Sequence, residues 1–334
     1  MNTQTAFFRA LGTAALIAAP ALLAIGGYLY AQGPQIDFSK VEEHVWPVQG
    51  NVYMMVGAGG NSTVQVGKDG VLIVDTQFAP MADKMLAEIR KLSDKPIRYI
   101  INTHVHGDHT GGNEALSKAG SEIVGGNFAG QVAANSPASI LAHENVLNRM
   151  SAPPAAGQPA LPFGALPTDT YFTDSKDLFF NGEAVMLIHP KNAHTDGDTI
   201  VFFRRSDVIS AGDLFTPGGF PNADISRGGS LNGIIAALNH IIELTVPAEK
   251  QEGGTYVIPG HGHLCDEADV VEYRDMATIL RDRFADAIKR GMTLDQVKAA
   301  KLTRDYDPLY AQNEAATDRF VTNAYNSLSN PPKD

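Results

Sequence analysis

The chain holds one cysteine, Cys265, in 334 residues. No disulfide can close within it, so its stability must come from packing and bound ions. Basic side chains are scarce as well. There are 26 Lys and Arg against 37 Asp and Glu, a formal net charge of −11. Nucleic-acid binding relies on Lys and Arg that neutralise phosphates, and the sequence has no basic patch of that kind. Nucleic acid is excluded as the expected partner, and a small-molecule substrate is expected instead.

Charge is missing altogether from residues 10–30, a run rich in Ala and Leu behind a single basic residue, Arg9. This is the pattern of a secretory signal peptide, cleaved after Ala31. The run exceeds the usual h-region of about 7–15 residues and reaches the ~20 residues that cross a bilayer. An uncleaved inner-membrane anchor is therefore the alternative, and membrane contact is expected only in that case. No cysteine stands near the end of the run, so lipid attachment there is excluded. The expectation is a periplasmic or secreted protein with residues 1–31 outside the fold.

What remains is enough for one large domain with a full core. Its 44% apolar and 19% charged residues are ordinary for a soluble globular protein. Strand patterns at residues 52–56, 62–66, 71–74, 97–101, 183–188, 200–203, 208–210 and 255–258 alternate with helical spacing at 81–92, 111–118, 231–244 and 267–290. That alternation predicts an α/β (α+β) fold with sheets covered by helices. Residues 32–290 form the expected domain, and residues 291–334 an expected C-terminal helical extension.

The most informative row is His104-Val105-His106-Gly107-Asp108-His109, directly after the apolar run Tyr99-Ile100-Ile101. Two His two apart at a strand end point the same way, and a Gly turn brings the next polar groups back to the same place. Imidazole nitrogen and carboxylate oxygen are the donors that a divalent ion such as zinc takes. Three further turns share this pattern of apolar strand, Gly and polar ligand type. They carry His194, Asp213 and His261.

The ordered set resembles the metallo-β-lactamase superfamily of binuclear zinc hydrolases, over about Val45 to Asp275. Supporting phrases are Val74-Asp75-Thr76, Asn102-Thr103-His104, Thr110-Gly111-Gly112-Asn113 and Pro259-Gly260-His261-Gly262. The resemblance implies an αββα sandwich with two zinc ions, Zn(2+), per subunit. His104, His106 and His194 would hold the first ion, and Asp108, His109 and His261 the second. Asp213 would bridge both. It also implies hydrolysis by a metal-bridging hydroxide, with Asp108 passing a proton toward the leaving group.

The commonest lactamases place a Cys where Asp213 stands and a Lys three residues later, where this chain has Thr216. The expected activity is cleavage of a lactam, ester or related bond, with β-lactam turnover weak or promiscuous. The alternatives are a phosphodiesterase or arylesterase, a glyoxalase II-like thioesterase or lactonase, and a non-catalytic periplasmic metal-binding accessory protein. Residues 216–233, with five Gly and two Pro, are expected to line the pocket and to offer Asn222, Arg227 and Asn232 to substrate. Residues 151–169 read as a surface loop or a lid. Asp75 is expected to accept hydrogen bonds from turn amides or a ligand imidazole. Cys265 reads as a small buried residue, and Asp196 and Asp198 as turn formers.

Overall fold

The apolar runs form strands that fall into two sheets. The computed structural model describes residues 36–123, 136–154, 157, 159–250 and 253–332. Residues 1–31, read above as a leader or anchor, lie outside the described residues. Among the described residues, no helix is long and apolar enough to cross a membrane.

The first sheet has the order β1 (His44–Gln49), β2 (Val52–Val56), β3 (Ser62–Gly67), β4 (Gly70–Val74), β5 (Ile97–Ile101), β6 (Ser139–His143), β7 (Asp169–Tyr171). The second runs β12 (Tyr256–Pro259), β11 (Val208–Gly212), β10 (Ile200–Phe203), β9 (Glu183–Ile188), β8 (Ser175–Phe180). Side chains alternate faces along a strand, and β4 shows the result. Leu72 and Val74 join Ile101, Leu141, Val185, Leu187 and Val201 in a layer between the sheets. Val71 and Ile73 face the other way, onto Met85 and Ile89 of α1 (Ala82–Leu92) and Leu116. Both faces of β4 are thus covered, and all five of its residues are buried.

The outer face of the second sheet is covered by α5 (Leu231–Leu244) and α6 (Glu267–Lys289), after the shorter α2 (Gly107–Thr110), α3 (Asn113–Lys118) and α4 (Glu144–Met150). Ile209 and Ala211 of β11 pack there with Ile234, Leu238, Met276 and Leu280. The layers are helix, sheet, sheet, helix, as expected. The residues after α6 form α7 (Leu294–Ala300), α8 (Asp307–Tyr310) and α9 (Glu314–Ser329). Val297, Tyr310, Phe320 and Ala324 sit in the same core as α5 and α6.

The helix expected at residues 111–118 begins two residues later. Thr110 belongs to α2, where its hydroxyl bonds the carbonyl of His106. Gly112 is the N-cap of α3.

Strand direction places the site. β4 and β5 are parallel, as are β11 and β12. β9 runs the same way as β11, since each is antiparallel to β10. The loops that leave these strands carry Asp75, His104 to His109, His194, Asp213 and His261. Rigid strands hold the ends while the loops present the chemistry.

Candidate metal centre

The backbone bonds around these loops explain why they converge. The turn between β2 and β3 bridges two of them: Gly60 N–H donates to the carbonyl of Asp108 at 2.9 Å, and Asn61 N–H to that of Gly260 at 2.7 Å. The Asn61 amide donates to the carbonyls of Pro259 and Gly262, both at 3.0 Å, and so fixes the turn that carries His261. Asn102 and Asn113 exchange side-chain hydrogen bonds of 3.0 and 2.8 Å, tying the end of β5 to α3. Gly260 has to be glycine, because a Cβ there would fall on Asp213 Oδ1. At Gly60 it would fall on the His109 ring.

Two adjacent clusters result. The donor atoms of His104, His106, His194 and Asp213 lie within 4.8 Å of one another, and so do those of Asp108, His109 and His261. His106 Nδ1 is 3.1 Å from His104 Nε2 and 2.9 Å from His194 Nε2. His109 Nε2 and His261 Nε2 are 3.4 Å apart, and Asp108 Oδ2 is 3.3 Å from the latter. Asp213 stands between the clusters and divides its oxygens. Its Oδ2 lies 3.6 Å from His194 Nε2 and 3.9 Å from His104 Nε2. Its Oδ1 lies 3.2 Å from His109 Nε2 and 3.5 Å from His261 Nε2.

The outward nitrogen of each buried ring decides which inward nitrogen carries a lone pair. His106 Nε2 faces the Asp224 carboxylate at 2.9 Å. His109 Nδ1 faces Asp75 at 2.7 Å. His194 Nδ1 faces the carbonyl of Asn222. His104 Nδ1 is 2.9 Å from Thr103 Oγ1, whose own proton goes to Asp75. Each outward nitrogen therefore bears the proton. Four inward lone pairs converge beside Asp213, whose buried Oδ1 has no hydrogen-bond donor. Such a cluster repels itself unless a cation sits within it. The donor set fits zinc, which takes imidazole nitrogen and carboxylate oxygen.

The carboxylates of the site favour positive charge beside them, whether a proton or an ion. Burial favours the neutral form of Asp213, but the surrounding imidazoles of His109, His104 and His194 hold the carboxyl well below its ordinary range. Burial disfavours the His109 cation, yet Asp213 and Asp75 lift its pKa well above the ordinary value. His104, buried and next to other imidazoles, is pushed well below its own.

All seven ligand-type residues picked out in the sequence meet here. The expected substrate contacts divide. Asn222 lines a cavity of about 450 Å³ that opens on His106, Asp108, Asp213 and His261. Arg227 instead pairs with Asp224 at 2.6 Å, where it braces the carboxylate that holds His106. Asn232 is exposed on α5 and accepts from Arg281 at 3.2 Å. Residues 151–169 contribute nothing to the cavity among the described residues. Asp75 does accept from a ligand imidazole. Asp198 closes its own turn onto Thr195, Asp196 pairs with Arg149, and Cys265 is buried.

Two sets of residues escaped the sequence reading. Asp224 was one, hidden in a loop where a single acidic residue has no distinguishing neighbour. The other is the cavity wall from the C-terminal segment, Tyr310, Gln312, Ala316, Arg319 and Phe320.

A family model described as the metallo-beta-lactamase superfamily matches residues 55–261. The linear primary-alkylsulfatase of Pseudomonas sp. (strain ATCC 19151) is 25% identical over 257 residues, covering 69% of this chain and 47% of that protein. The metallo-beta-lactamase type 2 of Bacillus sp. (strain 170) is 21% identical over 243 residues, 72% of this chain and 82% of that one. Among solved structures, the stereoselective inverting sec-alkylsulfatase Pisa1 from Pseudomonas sp. superposes with a TM-score of 0.60 at 16% identity. The likeness covers 85% of this chain and 50% of that one. The chain spans about half the length of the alkylsulfatases it matches.

Proposed function

The chain belongs to the metallo-β-lactamase superfamily of metal-dependent hydrolases, and we propose that it is a two-zinc hydrolase of an ester-type bond in a small organic molecule. The observation that carries this reading is the division of the Asp213 oxygens between two clusters of donors. His104, His106 and His194 would hold one ion, and Asp108, His109 and His261 the other, with Asp213 shared. Bound there, zinc supplies Lewis acidity and lowers the pKa of water to about 7.

The rest falls to the protein's own groups. Asp75, Asp224 and the Asn222 carbonyl fix three imidazoles in the tautomer that leaves the inward nitrogen free. Asp108 lines the cavity, and although burial favours its neutral form, the hydrogen bond to His261 keeps it a carboxylate. Its carboxylate can take a proton from the attacking water and hand it to the leaving oxygen. Phe220 and Phe320 form an apolar wall beside these groups.

Likeness to two alkylsulfatases supports a sulfuric ester as the bond cleaved. Likeness to the Bacillus enzyme supports a lactam as the second reading. Purified, zinc-loaded protein should be assayed with hexyl sulfate, p-nitrophenyl acetate, bis(p-nitrophenyl) phosphate and nitrocefin, alongside metal analysis. Turnover of an ester above a chelated control is expected. Two bound zinc ions with no turnover of any of the four would remove the proposal.

A further inference from the structure

The C-terminal segment brings a cationic side chain to the cavity over the candidate metal centre. Among the described residues that line the cavity, Arg319 of α9 is the sole Lys or Arg. Other arginines nearby are committed: Arg149 to Asp196, Arg227 to Asp224, and Arg281 to Asp282. Arg319 is exposed and has no carboxylate partner among the described residues. Ala316, Arg319 and Phe320 are spaced i, i+3 and i+4, so they share one helix face, and that face looks onto the cavity.

The wall next to Arg319 is aromatic. Phe320 stacks on Phe220 with ring centres 4.7 Å apart and planes 4° from parallel, and Tyr310 lies 5.9 Å from Phe220. Gln312 Nε2 approaches the loop at Gly219, 3.4 Å from where a Cβ would stand. An uncommitted guanidinium beside an apolar wall is complementary to an oxyanion head on an apolar body.

We propose that Arg319 is the residue by which this protein recognises the negatively charged oxygen group of an organic anion, a carboxylate or a sulfate, whose apolar part lies on Phe220 and Phe320. The proposal deepens the hydrolase reading and takes its meaning as substrate recognition from it.

Calorimetric titration of the zinc-loaded full chain tests it, with 4-phenylbutyrate, hexyl sulfate and the neutral 4-phenylbutyramide as probes. At least one anion should bind the native protein more tightly than the amide, and which one does so separates carboxylate from sulfate. Arg319→Gln should weaken that anion about tenfold or more and leave the amide unchanged, while Arg319→Lys retains part of the affinity. Equal anion affinity in native protein and R319Q would overturn the proposal, as would native protein with no preference for either anion. The two readings fail separately. A protein that binds anions through Arg319 but hydrolyses nothing loses only the hydrolase reading. A hydrolase whose R319Q variant binds anions normally loses only this one.

Discussion

Asp75 receives the Nδ1 proton of His109 on Oδ2 at 2.7 Å, and the same carboxylate takes the N–H and hydroxyl of Thr103 at 2.7 and 2.6 Å. One side chain at the end of β4 thereby sets the ring of one candidate ligand and, through Thr103, that of another, His104. Asp75 has φ of +61°, a conformation that Asn also tolerates. Asp75→Asn should therefore keep the backbone and change only the chemistry. Its amide would turn a donor toward His109 Nδ1, drive the proton onto Nε2 and remove the inward lone pair. A 10–100-fold loss of zinc affinity is expected, measured by competition with a chromophoric chelator. Unchanged affinity would show that Asp75 only supports the turn.

Asp213→Asn removes one oxygen from a carboxylate that serves both clusters. The new amide hydrogens would point at imidazole lone pairs. Metal content after dialysis should fall from two zinc ions to one, and kcat/KM by about a hundredfold or more. Two ions with full activity would mean that the clusters bind independently of Asp213.

The ligand set was legible because its signals are local. A buried strand followed by glycine and a polar ligand type can be read within about ten residues, and that pattern marks His104 to His109, His194, Asp213 and His261. The two-sheet arrangement came from the resemblance, since strand periodicity does not say which faces meet. What stayed hidden depends on distant partners. Asn232 looked like part of a glycine-rich pocket loop, but Ser230 caps α5 by accepting from Gly233 N–H, and the helix points Asn232 toward Arg281. The tail has an apolar period, yet no local feature tells that Phe320 stacks on Phe220 in the cavity wall.

Glu43 gives a pH dependence away from the metal centre. Its Oε1 accepts from Gln77 Nε2 at 2.7 Å, while Glu43 Oε2 and Gln77 Oε1 are both buried without a partner, side by side against Gly57. A proton on Oε2 would complete a reciprocal acid–amide pair. Burial, against the Gln77 hydrogen bond, raises this carboxyl from 4.5 to about 7. Its contribution to stability is therefore fully present below about pH 4.5 and is lost as pH rises through about 7. Glu43→Gln holds an N–H donor at that place at every pH. It should match the native protein in thermal unfolding at pH 5. At pH 8 it should exceed it by on the order of 1 kcal/mol, after allowing for solvent screening of a part-exposed group. An equal gap at both pH values would show that Glu43 is not the titrating group.

Phe320 links the tail to the cavity and is buried. It stacks on Phe220 at 4.7 Å, meets Phe284 edge-on at 5.8 Å, and is 4% exposed. Phe320→Ala should cost about 3–5 kcal/mol of stability in urea unfolding, and Phe320→Leu less, because it keeps most of the apolar volume. The seven candidate ligands lie on other elements, so zinc content should stay at the native level in F320L. Phe220, having lost its stacking partner, should leave the substrate wall loose, raising KM while kcat changes little. A fall in zinc content parallel to the fall in stability would mean instead that α9 supports the metal loops themselves.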